Sequence, residues 1–172
     1  MKLSNAVILT LQRMRLEKDE ILHLAKEAEA YQTIANNEEW AIFILKHSLV
    51  LEPHDADACW PMYQLLLEKE IDDGDALLLK QKKEGIDTFS FQSENYPKPF
   101  LNTTDFPPLI HTLGDTRLLH NAPKVAIIGA RSADQKGNEA AYKLGVAYAQ
   151  KGSVVVRQGD FGMEIPCQKR KE

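Results

Sequence analysis

The chain has 172 residues, 44% hydrophobic and 27% charged, with a net charge of −4; this is enough apolar material for one domain or two small ones and excludes a wholly disordered or collagen-like chain. No apolar run reaches the ~18 residues needed to span a bilayer, and the amphipathic start lacks the apolar stretch and cleavage site of a secretion signal. Cys59 and Cys167 stand far apart without a CxxC, which argues against a disulfide scaffold or zinc ribbon and for a soluble cytoplasmic protein.

The first 85 residues read as successive helices. Leu3, Val7, Ile8, Leu11 and Met14 form one apolar stripe, and Ile21, Leu22, Leu24, Ala25 and Ala28 form a second. Asn36 and Asn37 are placed to cap a third helix, with Glu38 and Glu39 in its first turn and Trp40, Phe43, Ile44 and Leu45 facing inward. Pro53 breaks the chain, and a fourth helix from near Asp57 carries Trp60, Tyr63, Leu66 and Leu67. Asp72-Asp73-Gly74 reads as a turn, followed by a short fifth helix from Ala76 to Lys83 that ends at Gly85.

At Gly85 the period changes. Residues 86–91 alternate like a short edge strand, and the stretch holding Tyr96-Pro97, Pro99-Phe100 and Phe106-Pro107-Pro108 reads as an ordered, packed connection because aromatic residues are interleaved with its prolines. Gly114-Asp115 makes a further turn. Lys124 to Gly129 reads as a buried-type strand, Asn138 to Lys151 as a helix with Ala141, Leu144, Ala147 and Tyr148 at helical spacing, and Gly152 to Val156 as a second core strand. Strand, glycine loop, helix and strand make a βαβ unit, which implies a parallel pair. Charge follows the same division: residues 1–75 carry 7 Lys/Arg against 15 Asp/Glu, and residues 76–172 carry 14 against 10. The second half is therefore the expected anion binder.

The segment Gly129-Ala130-Arg131-Ser132-Ala133-Asp134-Gln135-Lys136-Gly137 joins strand to helix, where α/β sheets hold their ligands. Gly129 allows a tight turn, and Gly137 permits close backbone approach at the helix start. Amide groups at a helix N-terminus suit a phosphate oxygen. Arg131 can add a bidentate contact and Lys136 a point charge. The spacing fits neither GxGxxG nor GxxxxGK[ST]. His54, Asp55, Asp57 and Cys59 lack metal-ligand spacing and read as an ordinary loop before a helix; no metal or cofactor is expected. Asp72, Asp73 and Asp75 lack the remaining ligands of a calcium loop.

The series Tyr96-Pro97, Phe106-Pro107-Pro108-Leu109, Gly114-Asp115, Val125-Ala126-Ile127-Ile128-Gly129-Ala130-Arg131 and Gly137 resembles, in order and spacing, the DprA/Smf family of bacterial DNA-processing proteins. The resemblance covers about residues 76–156 and implies an α/β fold: a helical N-terminal domain, 1–85, followed by an incomplete Rossmann-like parallel βαβ domain, 86–172. It implies single-stranded DNA binding in natural transformation and recombination, with the RecA recombinase as partner, no catalysis, and room for a homo-oligomer. Gly129, Arg131 and Gly137 would lie in the DNA-binding loop, with Ser132 and Lys136 as further contacts. Asp134 stands where the family has Ser or Thr, and Lys136 where it has Tyr. The family's second ligand-facing loop is scrambled after Val156, retaining only Gly162 and an acid, Glu164, as a frameshift or a diverged paralogue would leave it. The rival readings are a nucleoside-monophosphate phosphoribohydrolase, whose PGGxGT-like loop is lacking, and a helical interaction module.

Overall fold

The computed structural model describes residues 1–51, 56–120, 123–129 and 134–156. Contacts group the chain into two units, Met1–Gly114 and Asp115–Glu172. The division expected after residue 85 falls inside the first unit.

In that unit α1 (Asn5–Arg13) starts where the Ser4 hydroxyl accepts the Val7 amide, and it buries Ala6, Val7, Ile8 and Leu11. It ends with Arg15 in the left-handed region at φ 61°. The Leu16 amide then reaches back to the Leu11 carbonyl at 3.0 Å, a Schellman-type closure made without glycine. In α2 (Lys18–Ala28) Ile21, Leu24, Ala25 and Ala28 are buried, and so is Glu20. The Glu20 carboxylate accepts from the Ser48 hydroxyl at 2.6 Å and the Leu49 amide at 2.8 Å, so its burial is compensated by two donors from the end of the next helix. That helix, α3 (Asn37–His47), begins as the sequence implies: Asn36 caps it by accepting the Glu39 amide, and Trp40, Phe43, Ile44 and Leu45 face the core.

The structure corrects the reading of residues 56–83. They form one helix, α4 (Ala56–Lys83), that runs straight through the expected Asp72-Asp73-Gly74 turn. Gly74 is buried against α1: a Cβ there would lie 3.3 Å from the Ala6 carbonyl oxygen and 3.4 Å from the Thr10 hydroxyl. The same contact holds the Thr10 hydroxyl on the Glu70 carbonyl at 3.0 Å. Gly74 thus serves close helix–helix approach, and packing outweighs the ~1 kcal/mol propensity cost of a mid-helix glycine. Leu67 and Ile71 face the core, whereas Tyr63 and Leu66 are exposed.

Residues after α4 complete the unit. β1 (Ile86–Ser90) pairs antiparallel with β2 (Leu109–Leu113), with Ile86 opposite Leu113 and Phe89 opposite Ile110. Leu109 enters the helical core. The Asn5 side-chain amide donates to the Thr88 carbonyl at 3.1 Å, tying β1 to α1. The connection between the strands is ordered, as its aromatics imply. Tyr96 is buried and donates its hydroxyl to the Pro107 carbonyl at 2.6 Å, so the Tyr-Pro and Pro-Pro elements hold each other. Phe91 and Phe106 pack at 6.0 Å between ring centres.

The second unit contains the expected βαβ order, but the two strands expected to be core are half-buried to exposed along their length. β3 (Lys124–Ala126) and β4 (Val154–Val156) are parallel, with Val125 opposite Val155, and α5 (Gln135–Gln150) connects them. α5 buries Ala141 and Gly145. Leu144, Ala147 and Tyr148, which share the helical spacing of Ala141, are exposed. Small side chains on the inner face let a helix backbone approach its strands closely.

Candidate phosphate-binding junction

β3 and α5 meet at the junction that the sequence singles out. Pairing continues one residue past β3, where the Ile127 amide donates to the Val156 carbonyl at 3.0 Å. Gly129 then follows, exposed, beyond the carboxyl end of the strand. On the far side of the loop, α5 begins with Lys136 exposed and Gly137 half-buried in its first turn. The fold therefore places Gly129, Lys136 and Gly137 on the two sides of one βα loop. Arg131 and Ser132 lie outside the described residues.

From sequence, Asp134 stands out only as a departure from a hydroxyl, and its structural role is missed. It is the N-cap of α5: its Oδ1 accepts the Gly137 amide at 2.8 Å, and its carbonyl accepts the Asn138 amide at 3.1 Å. Both contacts are characteristic of an aspartate cap, a role equally open to Ser or Thr. A carboxylate here stabilises the positive end of the helix and occupies an amide that a phosphate oxygen would otherwise take. The signal that could find it is its position three residues before Gly137 at the start of an apolar-periodic segment. Gln135 donates to Glu139 at 3.1 Å, one turn along α5. The Asn138 Oδ1 is buried without a hydrogen-bond partner among the described residues.

The remaining candidates are placed only in part. His54 and Asp55 lie outside the described residues, as do the side chains of Asp57 and Cys59. Among the described residues no group of three His, Cys, Asp or Glu side chains could hold a metal ion. Asp72 and Asp75 accept from the Asn37 amide, at 2.8 and 2.9 Å, and do not converge in a loop. His47, one of five scattered histidines, stacks on Phe43 and meets the Tyr31 hydroxyl at 2.7 Å and the Glu27 carboxylate at 3.5 Å, bracing α2 against α3.

The parallel βαβ unit, with Gly129 beyond the carboxyl end of its first strand, makes this unit α/β in class, and such junctions are where α/β sheets hold their ligands. Residues 87–169, a little under half of the chain, match the model of the family described as DNA recombination-mediator protein A. The X-ray structure of DNA processing protein A (DprA) from Streptococcus pneumoniae is similar in fold, with a TM-score of 0.55 at 20% identity. The similarity covers 91% of this chain, which spans 58% of the pneumococcal one. A search of curated proteins finds no match.

Proposed function

We propose that the chain binds single-stranded DNA at the β3–α5 junction and serves DNA processing in transformation and recombination, handing strands to a RecA-type recombinase. The observation that carries this reading is the junction itself: within the stretch matching the DprA family, Gly129 follows the parallel strand β3 and the exposed Lys136 stands in the first turn of α5. A backbone phosphate there would meet helix-terminal amides, the Lys136 ammonium and the guanidinium of Arg131. The proposed role is binding rather than bond-making, in the cytoplasm. Among the described residues no helix is long and apolar enough to cross a membrane.

The test is a fluorescence anisotropy titration of a labelled oligonucleotide at two salt concentrations. Affinity should fall steeply with salt, because phosphate contacts release counterions. Arg131→Ala should weaken binding about tenfold or more, since a charge-assisted hydrogen bond contributes ~1.5–3 kcal/mol. Lys136→Ala should weaken it less. Lys169→Ala with Arg170→Ala controls for general attraction to basic residues near the end of the sequence. Full loss in that control with none in Arg131→Ala or Lys136→Ala would make the junction structural. Hydrolysis of a nucleoside monophosphate by the chain would favour the phosphoribohydrolase reading instead.

A further inference from the structure

The outer face of α4 carries an apolar patch that the core does not use. Met62, Leu65 and Leu66, at i, i+3 and i+4, are 55%, 66% and 54% exposed, and Tyr63 beside them is 45% exposed. Met62, Leu65 and Leu66 point away from Leu67 and Ile71, which are buried in the core. Isolated exposed leucines are ordinary, but a contiguous stripe of this kind marks an interaction surface.

Charge along the edge of the stripe selects the occupant. Glu68, Asp72 and Asp75 follow at i, i+4 and i+7 on the side of α4 that faces α3, and Asp73 continues the stripe itself. Three carboxylates on this side are held by neutral donors: Glu38 by the Gln64 amide at 3.3 Å, and Asp72 and Asp75 by the Asn37 amide at 2.8 and 2.9 Å. An amide donor fixes a carboxylate without cancelling its charge. Among the described residues the ion pairs are Arg13–Glu70, Glu27–His47 and Asp115–Arg117, and none involves these groups. Lys69 is the one basic residue on this stretch of the helix.

We propose that this face of α4 docks a cationic amphipathic helix of a partner protein, whose apolar side covers Met62, Leu65 and Leu66 while its Lys or Arg residues meet Glu38, Glu68, Asp72 and Asp75. Helix-in-groove recognition uses apolar anchors at this spacing, and complementary charge at the rim sets partner choice and association rate. The acidic edge disfavours nucleic acid as occupant, so docking here does not depend on what the β3–α5 junction binds.

The test uses the full chain and three labelled designed peptides of about five helical turns. One bears a leucine stripe with lysines, one the same stripe with glutamates, and one the lysines with serine in place of leucine. The leucine–lysine peptide should bind, at least about tenfold more tightly than either of the others, and raised salt should weaken it. The double variant Leu65→Gln with Leu66→Gln should lose about tenfold or more in affinity. Both side chains are exposed, and an unchanged circular dichroism melt shows that the fold is kept. Asp72→Asn with Asp75→Asn should weaken the lysine peptide alone. Equal binding of the serine–lysine peptide would overturn the proposal, as would undiminished binding to the leucine-to-glutamine variant. Sedimentation showing a dimer that only this variant dissolves, with no peptide bound, would assign the face to a second copy and overturn it as well.

Discussion

Replacing Gly74 with leucine tests the helix pair on which the first unit is built. If Asp72-Asp73-Gly74 were a surface turn, the change would alter stability by no more than about 0.5 kcal/mol. In the structure the added side chain starts from a Cβ 3.3 Å from the Ala6 carbonyl oxygen and 3.6 Å from the Ala6 Cβ. The first of these is a backbone atom of α1, so relief requires α1 to move and disturbs the Thr10–Glu70 hydrogen bond as well. Overpacking costs typically ~1–3 kcal/mol, and a leucine that cannot rotate away belongs at the upper end. Better helix propensity returns about 0.8 kcal/mol, leaving a net loss of roughly 2 kcal/mol. For a unit of this size that is a fall in Tm of roughly 8 °C. Trp40 and Trp60 both lie in the first unit, so tryptophan fluorescence during urea unfolding follows it alone. Unfolding at the same or higher urea than the parent would refute the packing of α4 on α1.

Three further outcomes follow from the same reasoning. Asp134→Ala should cost α5 about 1 kcal/mol, read as a lower melting temperature of the second unit, whereas Asp134→Ser should keep the cap and strengthen oligonucleotide binding by removing a carboxylate that competes with phosphate. Burial pushes the Tyr96 phenol above the ordinary tyrosine range. The proton is therefore held more tightly in the folded state, and this contribution is present at neutral pH and lost as pH rises above about 10. Tyr96→Phe, which strands the Pro107 carbonyl, should destabilise by about 1–2 kcal/mol at pH 7, with a gap to the parent that narrows under alkaline conditions in pH-dependent melts. A fragment of residues 1–114 should melt cooperatively and at higher temperature than residues 1–85, because β1, β2 and the buried Leu109 pack with the helices; equal melts would show that the hairpin contributes nothing.

Features governed by near neighbours along the chain are legible in the amino-acid order itself. The Asn36 cap, the stripes of α1 to α3 and the βαβ order each depend on spacings of a few residues, and the structure keeps them. The Tyr-Pro and Pro-Pro elements are likewise visible in the sequence, and the structure joins them through the Tyr96 hydroxyl, which donates to the Pro107 carbonyl. β2 does not read as a strand, since it follows two prolines and its pairing partner, β1, lies some twenty residues earlier.

Gly74 shows most clearly where local reading stops. Asp-Asp-Gly favours a turn when judged by its own backbone preferences, and nothing nearby in sequence reports that α1 lies close enough to require a missing side chain. Asp134 is a different case at the candidate site: its bond to the Gly137 amide is local, and the sequence shows the spacing but not which acceptor caps α5. The sequence alone determined the helical first half and the strand–loop–helix–strand order, because these follow from periodicity and glycine chemistry. Which side chains became core and where α4 ran on were decided by tertiary packing, where residues far apart in the chain compete for the same space.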